Sequence, residues 1–181
     1  SGVAVDKARA DGFFATPRAV ADLVWAHLKY RPGDWVLEPS CGGGDLLQPL
    51  CAETPALNAR RVFAVEIDST RAAVTKSRWP TIIVLNVDFL IKAQAWVQEE
   101  NFFDCIAMNP PFVKGSECDH LLAALELLMP NGRLAAIMPS GLKFREDALT
   151  VATRDRIAEF GGRIEDLPEG SFKLSGTNVS T

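Results

Sequence analysis

Asn109, followed by Pro110-Pro111-Phe112 and preceded by the apolar run Phe102-Phe103-Asp104-Cys105-Ile106-Ala107-Met108, brings together groups suited to one kind of chemistry. The run favours β structure and is about one buried strand long. Two consecutive prolines end it, because neither supplies an N–H and both hold φ near about −65°. Residues 109–112 are therefore expected as a rigid loop at the carboxyl end of a strand, the edge at which open α/β sheets bind ligands. The loop offers an amide side chain, a backbone carbonyl beside proline that is freed from sheet pairing, and an aromatic ring. These suit a planar substrate that carries an amino group. The lone pair of such a nitrogen is delocalised into the ring and is a poor nucleophile. A site acting on it must accept its N–H bonds and draw it toward tetrahedral geometry, with Asn109 Oδ1 and the Pro110 carbonyl as acceptors and Phe112 stacked on the ring. The alternative is a Pro-Pro turn with Asn109 as a turn residue and Phe112 in the core.

Three other strand ends carry polar groups. Residues 34–38 read as a short strand ending in Glu38 and broken by Pro39, and Ser40-Cys41-Gly42-Gly43-Gly44-Asp45 then turns into a helix through residue 50. A strand, a glycine-rich turn and a helix open a nucleotide-binding sheet, since absent side chains let a ligand lie against backbone. Residues 61–68 form a second strand, and Glu66 falls where a carboxylate accepts from two adjacent ribose hydroxyls; Asp68 suits the cap of a following helix. Residues 82–90 form a third strand, in which Asp88 stands beside Phe89; a turn acid and a core ring are the competing readings of that pair. Upstream, Thr16 as N-cap with Pro17 at the first helical position starts a helix to about residue 30. Val20, Leu23, Val24 and Leu28 form its buried face, and Pro32-Gly33 ends it.

Beyond the Asn109 loop, a helix is expected over 119–129, broken by Pro130-Asn131-Gly132, then a strand over 133–139 and a polar loop over 140–147 with Lys143 and Arg145. A helix over 148–160, a Gly161-Gly162 break, a strand over 163–167 and an extended piece at 177–181 complete the chain. Strands alternating with helices predict a mainly parallel sheet with right-handed crossovers. With 181 residues, 48% apolar and 8% aromatic, one core suffices. Residues 1–181 are read as a single domain, with 1–12 a loosely packed leading segment.

Net charge is −4, and no basic run exceeds Arg60-Arg61, which argues against a self-sufficient duplex binder, because phosphate neutralisation supplies most non-specific affinity. Cys41, Cys51, Cys105 and Cys118 lack C-x-x-C spacing and read as reduced thiols, so neither a metal site nor a disulfide framework is expected. Without a membrane-length apolar stretch or a signal-peptide pattern at the first residues, the expected location is the cytoplasm.

Taken in order, these motifs resemble the class I S-adenosylmethionine-dependent methyltransferases of the amino-methylating N-P-P-[FY] group, most similarly the DNA N6-adenine methyltransferases. The resemblance spans nearly the whole chain. It implies a Rossmann-like, doubly wound sheet of seven strands, mainly parallel, with helices on both faces and an antiparallel last strand. It also implies S-adenosylmethionine as cofactor. Phe14-Ala15-Thr16-Pro17 matches the segment that meets the cofactor carboxylate, and Glu38, Ser40, Cys41, Gly42 and Gly44 match the glycine turn, Glu38 holding the ammonium. Glu66 with Ile67 matches the ribose site, Asp88 with Phe89 the adenine site, and Asn109, Pro110 and Phe112 the catalytic motif. Pro111, Lys114, Lys143 and Lys173 fall on the substrate side, and residues 171–179 resemble a late hairpin loop.

Two departures stand out. Ser40 replaces the first glycine of the family's commonest turn, and the chain ends at Thr181, where the family's last strand should continue, with no second domain of the kind that reads DNA. The leading expectation is N6-adenine methylation of DNA with a flipped base, recognition lying in a separate domain or subunit. Methylation of an RNA base or a protein glutamine amide is the first alternative, and a non-catalytic cofactor-binding module the second. Neither membrane nor metal enters this reading.

Overall fold

The computed structural model describes residues 12, 14–54, 57–113, 115–168 and 171 of the 181-residue chain. At its centre lies a parallel five-stranded sheet in the order β3-β2-β1-β4-β5. The strands are β1 Val36–Glu38, β2 Val62–Val65, β3 Ile83–Leu85, β4 Phe103–Met108 and β5 Leu128–Ala136. The α-helices are α1 Arg18–Leu28, α2 Gln48–Glu53, α3 Ser69–Arg78, α4 Phe89–Gln98, α5 Ser116–Glu126 and α6 Ala148–Glu159. The chain steps outward from β1 to β3, then crosses back to lay β4 on the other side of β1. The ends of β1 and β4 therefore flank the switch point, where open α/β sheets hold their ligands.

Side chains point to opposite faces of the sheet with period two, and each set has its own layer. Val36, Val62, Ala64, Cys105 and Ala107 pack against Val20, Val24 and Leu28 of α1 and Leu50 of α2. Leu37, Val65, Ile106 and Met108 pack against Phe89, Ala93 and Trp96 of α4 and Leu121, Ala124 and Leu125 of α5. A central strand covered on both faces must be apolar at every position, which is why β4 reads as a continuous run. On the second face Trp96 stands edge-on to Phe103 with ring centroids 5.2 Å apart.

Three helices start on aspartates. Asp68 Oδ1 accepts from the backbone N–H groups of Thr70 and Arg71 at 3.0 Å each, Asp88 Oδ1 from Leu90 at 2.8 Å, and Asp147 Oδ1 from Thr150 at 3.0 Å. Asp88 therefore ends the turn after β3 and Phe89 begins α4, so the strand expected over 82–90 is cut to three residues. Thr16 does not cap α1. Pro17 occupies that position without a side-chain bond, and the helix closes at Leu28 with Lys29 in the left-handed region, φ 49°.

The sheet departs from expectation in its strand count and its last strand. Five strands are present among the described residues instead of seven, none of them antiparallel. Residues 163–166 are exposed and irregular: their charged side chains form ion pairs, Arg163 with Glu165 at 2.6 Å and Asp166 with Lys143 at 2.5 Å. Residues 177–181 lie outside the described residues. Pro130-Asn131-Gly132 is not a helix stop. The α5 helix begins three residues earlier than expected, at Ser116, and β5 starts at Leu128. The pairing jumps from Phe103↔Leu128 to Cys105↔Arg133, so the Pro-Asn-Gly residues form a bulge inside the strand, with Asn131 at φ 64°.

Ile106 is fully buried between β4 and the second helical layer. Ile106→Ala should destabilise the chain by about 2–5 kcal/mol, read from urea unfolding.

Candidate functional site

The glycine turn after β1 is held by the helix beyond β2. Thr75 Oγ1 donates to the Gly42 carbonyl at 2.7 Å, Arg78 Nη1 to the Gly43 carbonyl at 3.4 Å and Trp79 Nε1 to the Gly44 carbonyl at 3.0 Å. Gly44 has φ +80°, and a Cβ there would lie 2.8 Å from Trp79 Nε1, so the position requires glycine. With its carbonyls turned toward α3, the turn gives the Gly42 N–H to Glu66 Oε2 at 2.9 Å. Glu66 Oε1 accepts from the Asp68 N–H at 2.8 Å and from Arg71 Nε at 3.1 Å. The carboxylate is thus fixed at the end of β2, and Oε2 retains capacity for a further donor.

The Asn109 loop is fixed from the other side by the segment preceding α1. Asn109 Nδ2 donates to the Phe14 carbonyl at 2.9 Å and to Thr16 Oγ1 at 3.0 Å, which uses both amide protons. Asn109 Oδ1 is buried and has no hydrogen-bond partner. The Phe112 N–H donates to the Gly12 carbonyl at 3.0 Å, and the Phe112 ring tilts against Phe14 with centroids 5.3 Å apart. Gly12 has φ +67°, and a Cβ there would lie 2.8 Å from the Phe112 nitrogen. Pro110 is buried and Pro111 half-buried. The departure at position 40 has a structural counterpart: Ser40 Oγ donates to the Asn109 carbonyl at 3.2 Å, tying the two loops together across the switch point.

Between these elements lie a small crevice and a broad groove that share Phe14, Ser40 and Asn109. The crevice, of about 10 Å³, is lined also by Thr16, Glu38, Cys41 and Asp45, room for about one water-sized group. Glu38 is fully enclosed there. Its Oε1 accepts only a long bond from the Ser40 N–H, 3.4 Å, and its Oε2 has no partner. Burial, the largest effect, holds the Glu38 carboxyl well above the usual carboxylate range. The groove measures about 520 Å³ and is lined by Glu66, Ile67, Asp88, Phe89, Pro111 and His120 among others, within the rough 300–1,000 Å³ span of small-molecule sites. Ile67 is 65% exposed on its wall, an apolar surface available to a flat ring.

Of the residues singled out from sequence, Phe14, Ser40, Glu66, Ile67, Asp88, Phe89, Asn109 and Pro111 converge on the groove, and Thr16, Glu38 and Cys41 on the crevice. Phe112 packs on Phe14 beside them. Lys143 lies apart, exposed and paired with Asp166, and Arg145 reaches back to the buried Glu117 at 2.6 Å, so the cations expected at the rim are engaged within the chain. Lys114 and Lys173 lie outside the described residues.

Burial pushes the thiols of Cys51 and Cys105 up to about 12, and that of Cys41 higher still. The described residues hold no cluster of His, Cys, Asp or Glu that could bind a metal ion, and no described helix is long and apolar enough to cross a membrane. Sequence reasoning missed Thr75, Arg78 and Trp79, whose spacing on α3 is only that of a helix face, and His120, which carries no motif.

No family profile matches the sequence. The chain is 27% identical over 157 residues to modification methylase CviBIII of Paramecium bursaria Chlorella virus NC1A, covering 75% of this chain and 39% of that protein. A class I S-adenosylmethionine-dependent methyltransferase structure from Listeria monocytogenes superposes with a TM-score of 0.67 at 17% identity, over 88% of this chain and 57% of that one. The fold is that of the S-adenosylmethionine-dependent methyltransferases. The methyltransferase subunit of a type I restriction-modification system from Streptococcus thermophilus superposes with a TM-score of 0.65 at 22% identity, over 82% of this chain and 39% of that one. The chain thus spans about two-fifths or less of the length of the curated methylases that it matches in sequence.

The enclosed Glu38 gives this methyltransferase fold a pH-dependent weakness. A carboxyl that holds its proton more tightly folded than unfolded contributes most stability below the ordinary carboxylate range. That contribution is lost as pH rises from there through the raised folded value. Glu38→Gln should therefore raise the Tm of the ligand-free chain at pH 7, and the difference from wild type should shrink toward pH 4, as read by differential scanning calorimetry.

Proposed function

We propose that the chain transfers a methyl group from S-adenosylmethionine to an exocyclic amino group of DNA, N6 of adenine, within a single catalytic domain. The observation that carries this reading is Asn109, a residue that lines both crevice and groove: with both amide protons committed to Phe14 and Thr16, its buried Oδ1 stands unpartnered. An orphaned buried acceptor is costly unless a ligand satisfies it, and an amine N–H is such a ligand. Similarity to a modification methylase and the fold of a restriction-modification methyltransferase subunit support DNA as the polymer.

The residues present fit the cofactor. Glu38 Oε2, enclosed and unpartnered, suits an ammonium, whose charge would favour the ionised carboxylate. Glu66 Oε2 has capacity for a ribose hydroxyl, and Asp88, Phe89 and Ile67 line the part of the groove suited to a purine. When bound, S-adenosylmethionine supplies an electrophilic methyl on a sulfonium, and the bond to sulfur breaks as the bond to nitrogen forms. Asn109 Oδ1 and the Pro110 carbonyl accept the amine protons and draw its lone pair out of conjugation. Alignment of nitrogen, methyl and sulfur supplies most of the acceleration, and the quaternised nitrogen releases its proton through these acceptors to water. Phe112 stacks on the flipped base, which offsets part of an unstacking cost of a few kcal/mol, in rough terms. Sequence recognition belongs to a separate domain or subunit, consistent with net charge −4 and the pairing of Lys143 and Arg145 within the chain.

Incubation with methyl-labelled S-adenosylmethionine and, separately, duplex DNA, RNA and protein, followed by mass spectrometry of the hydrolysates, tests the assignment. Label is expected in N6-methyladenine from DNA; label in RNA bases or in glutamine would move the substrate accordingly. Asn109→Ala should abolish transfer while leaving the affinity for S-adenosylhomocysteine nearly unchanged, since its amide acts on the amine in the transition state. Transfer at the wild-type rate by that variant would make the loop a structural turn.

A further inference from the structure

His120 enters none of the roles assigned so far, yet it lines the groove at the end that holds Asp88 and Phe89. It sits on the second turn of α5, half-buried, with its ring 5.6 Å from that of Phe89 and tilted by 34°. Nδ1 lies 2.8 Å from the Ser116 carbonyl of its own helix and 3.3 Å from Ser116 Oγ. The carbonyl is the closer partner and has no proton to give, so Nδ1 carries the hydrogen. Burial, the largest effect on this imidazole, disfavours its charged form, against the opposing pull of Asp88 from the turn before α4 and of Asp119 from α5. The ring is therefore held as the neutral Nδ1–H tautomer, which leaves Nε2 as the acceptor of a residue that lines the groove. Asp88 is divided in the same way. Its Oδ1 is committed to the Leu90 and Ile91 N–H groups at the start of α4, at 2.8 and 3.5 Å, which leaves Oδ2 for the groove.

We propose, on the cofactor reading above, that His120 is a specificity residue for the cofactor's purine, its Nε2 and Asp88 Oδ2 accepting the two N–H bonds of the 6-amino group. An amino group donates twice, and two acceptors of fixed orientation satisfy it fully. A 6-oxo purine presents an acceptor at that position, its nearest donor being N1–H, so its oxygen would face two lone pairs. A site built to accept from a donor rejects the analogue that lacks it, because buried acceptors are then left unpaired.

The test uses the intact chain, which contains two histidines, His27 and His120, so that His27→Gln assigns both imidazole resonances in a proton NMR titration. Saturation with S-adenosylhomocysteine should lower the His120 pKa, because an engaged Nε2 acceptor favours the neutral ring. The 6-oxo analogue S-inosylhomocysteine should raise it, because with Nδ1–H kept on the Ser116 carbonyl only the protonated ring can donate from Nε2 to the oxygen. An equal shift with both ligands, or none, overturns the proposal. In parallel, at a pH where the ring is neutral, His120→Phe keeps a ring against Phe89 and should weaken S-adenosylhomocysteine by roughly 3- to 10-fold, the scale of one hydrogen bond, without weakening S-inosylhomocysteine, whose oxygen no longer faces the Nε2 lone pair. Equal losses for both ligands would reduce His120 to a packing residue and contradict the assignment. Glu66→Ala separates the two levels of the argument: it should weaken both ligands alike. If it weakens neither, the cofactor site itself is misplaced and the His120 proposal falls with it.

Discussion

Both amide protons of Asn109 are held by a segment that lies more than ninety residues earlier in the chain, and the rest of the site depends on that pair of bonds. An asparagine side chain has two faces of opposite hydrogen-bonding character, and rotation about its last torsion exchanges them at little cost. Here the Phe14 carbonyl and Thr16 Oγ1 both face Nδ2. Turning the amide over would place Oδ1 against the Phe14 carbonyl with no proton between them. On the proposed reading the acceptor is oriented before any substrate arrives, which would remove a reorganisation step. The same segment contributes the Gly12 carbonyl to Phe112 and the Phe14 ring beneath it, so the loop is fixed in position as well as in hydrogen-bonding sense.

Topology explains why distant residues meet. The chain reverses direction across the sheet between β3 and β4, and the loops after β1 and β4 stand side by side at that reversal. Ser40 Oγ bridges them to the Asn109 carbonyl at 3.2 Å. On the β1 side, α3 holds the turn carbonyls through Thr75, Arg78 and Trp79, and Glu66 receives the Gly42 N–H. The site is thus a set of loops each pinned by a different neighbour, with two buried side-chain oxygens left unpartnered on its walls, Glu38 Oε2 and Asn109 Oδ1. Native structures leave few such groups unpaired, and each that remains needs an explanation, a ligand or an ordered water among them.

Much of this was legible in the sequence because the signals were local. The apolar run before Asn109, the prolines after it, and the glycine turn after Glu38 each dictate backbone conformation within a few residues. The failures were of two kinds. Boundaries were misplaced where a single residue serves two roles: Asp88 reads as a strand end but caps α4, and Pro130-Asn131-Gly132 reads as a helix stop but is absorbed as a bulge in β5, where a lost ladder bond is tolerated at the sheet edge. Contacts between residues far apart in sequence left no trace at all. Nothing local says that Thr16 faces Asn109 rather than capping a helix, that Arg145 reaches Glu117, or that His120 turns toward Phe89. The strand expected over 163–167 rested on two apolar residues, Ile164 and Leu167, in an otherwise charged segment, too few to bury a strand face; residues 163–166 are exposed instead.

The central claim is that Asn109 presents Oδ1, and not Nδ2, to the amine that is methylated. The most direct measurement is a crystal structure of the chain with a non-reactive S-adenosylmethionine analogue and a DNA duplex containing the target adenine. The account predicts an extrahelical adenine with N6 within about 3.2 Å of Asn109 Oδ1, and Nδ2 still bonded to the Phe14 carbonyl and Thr16 Oγ1. An adenine bound elsewhere, or an Asn109 amide turned so that Nδ2 faces the base, would contradict it.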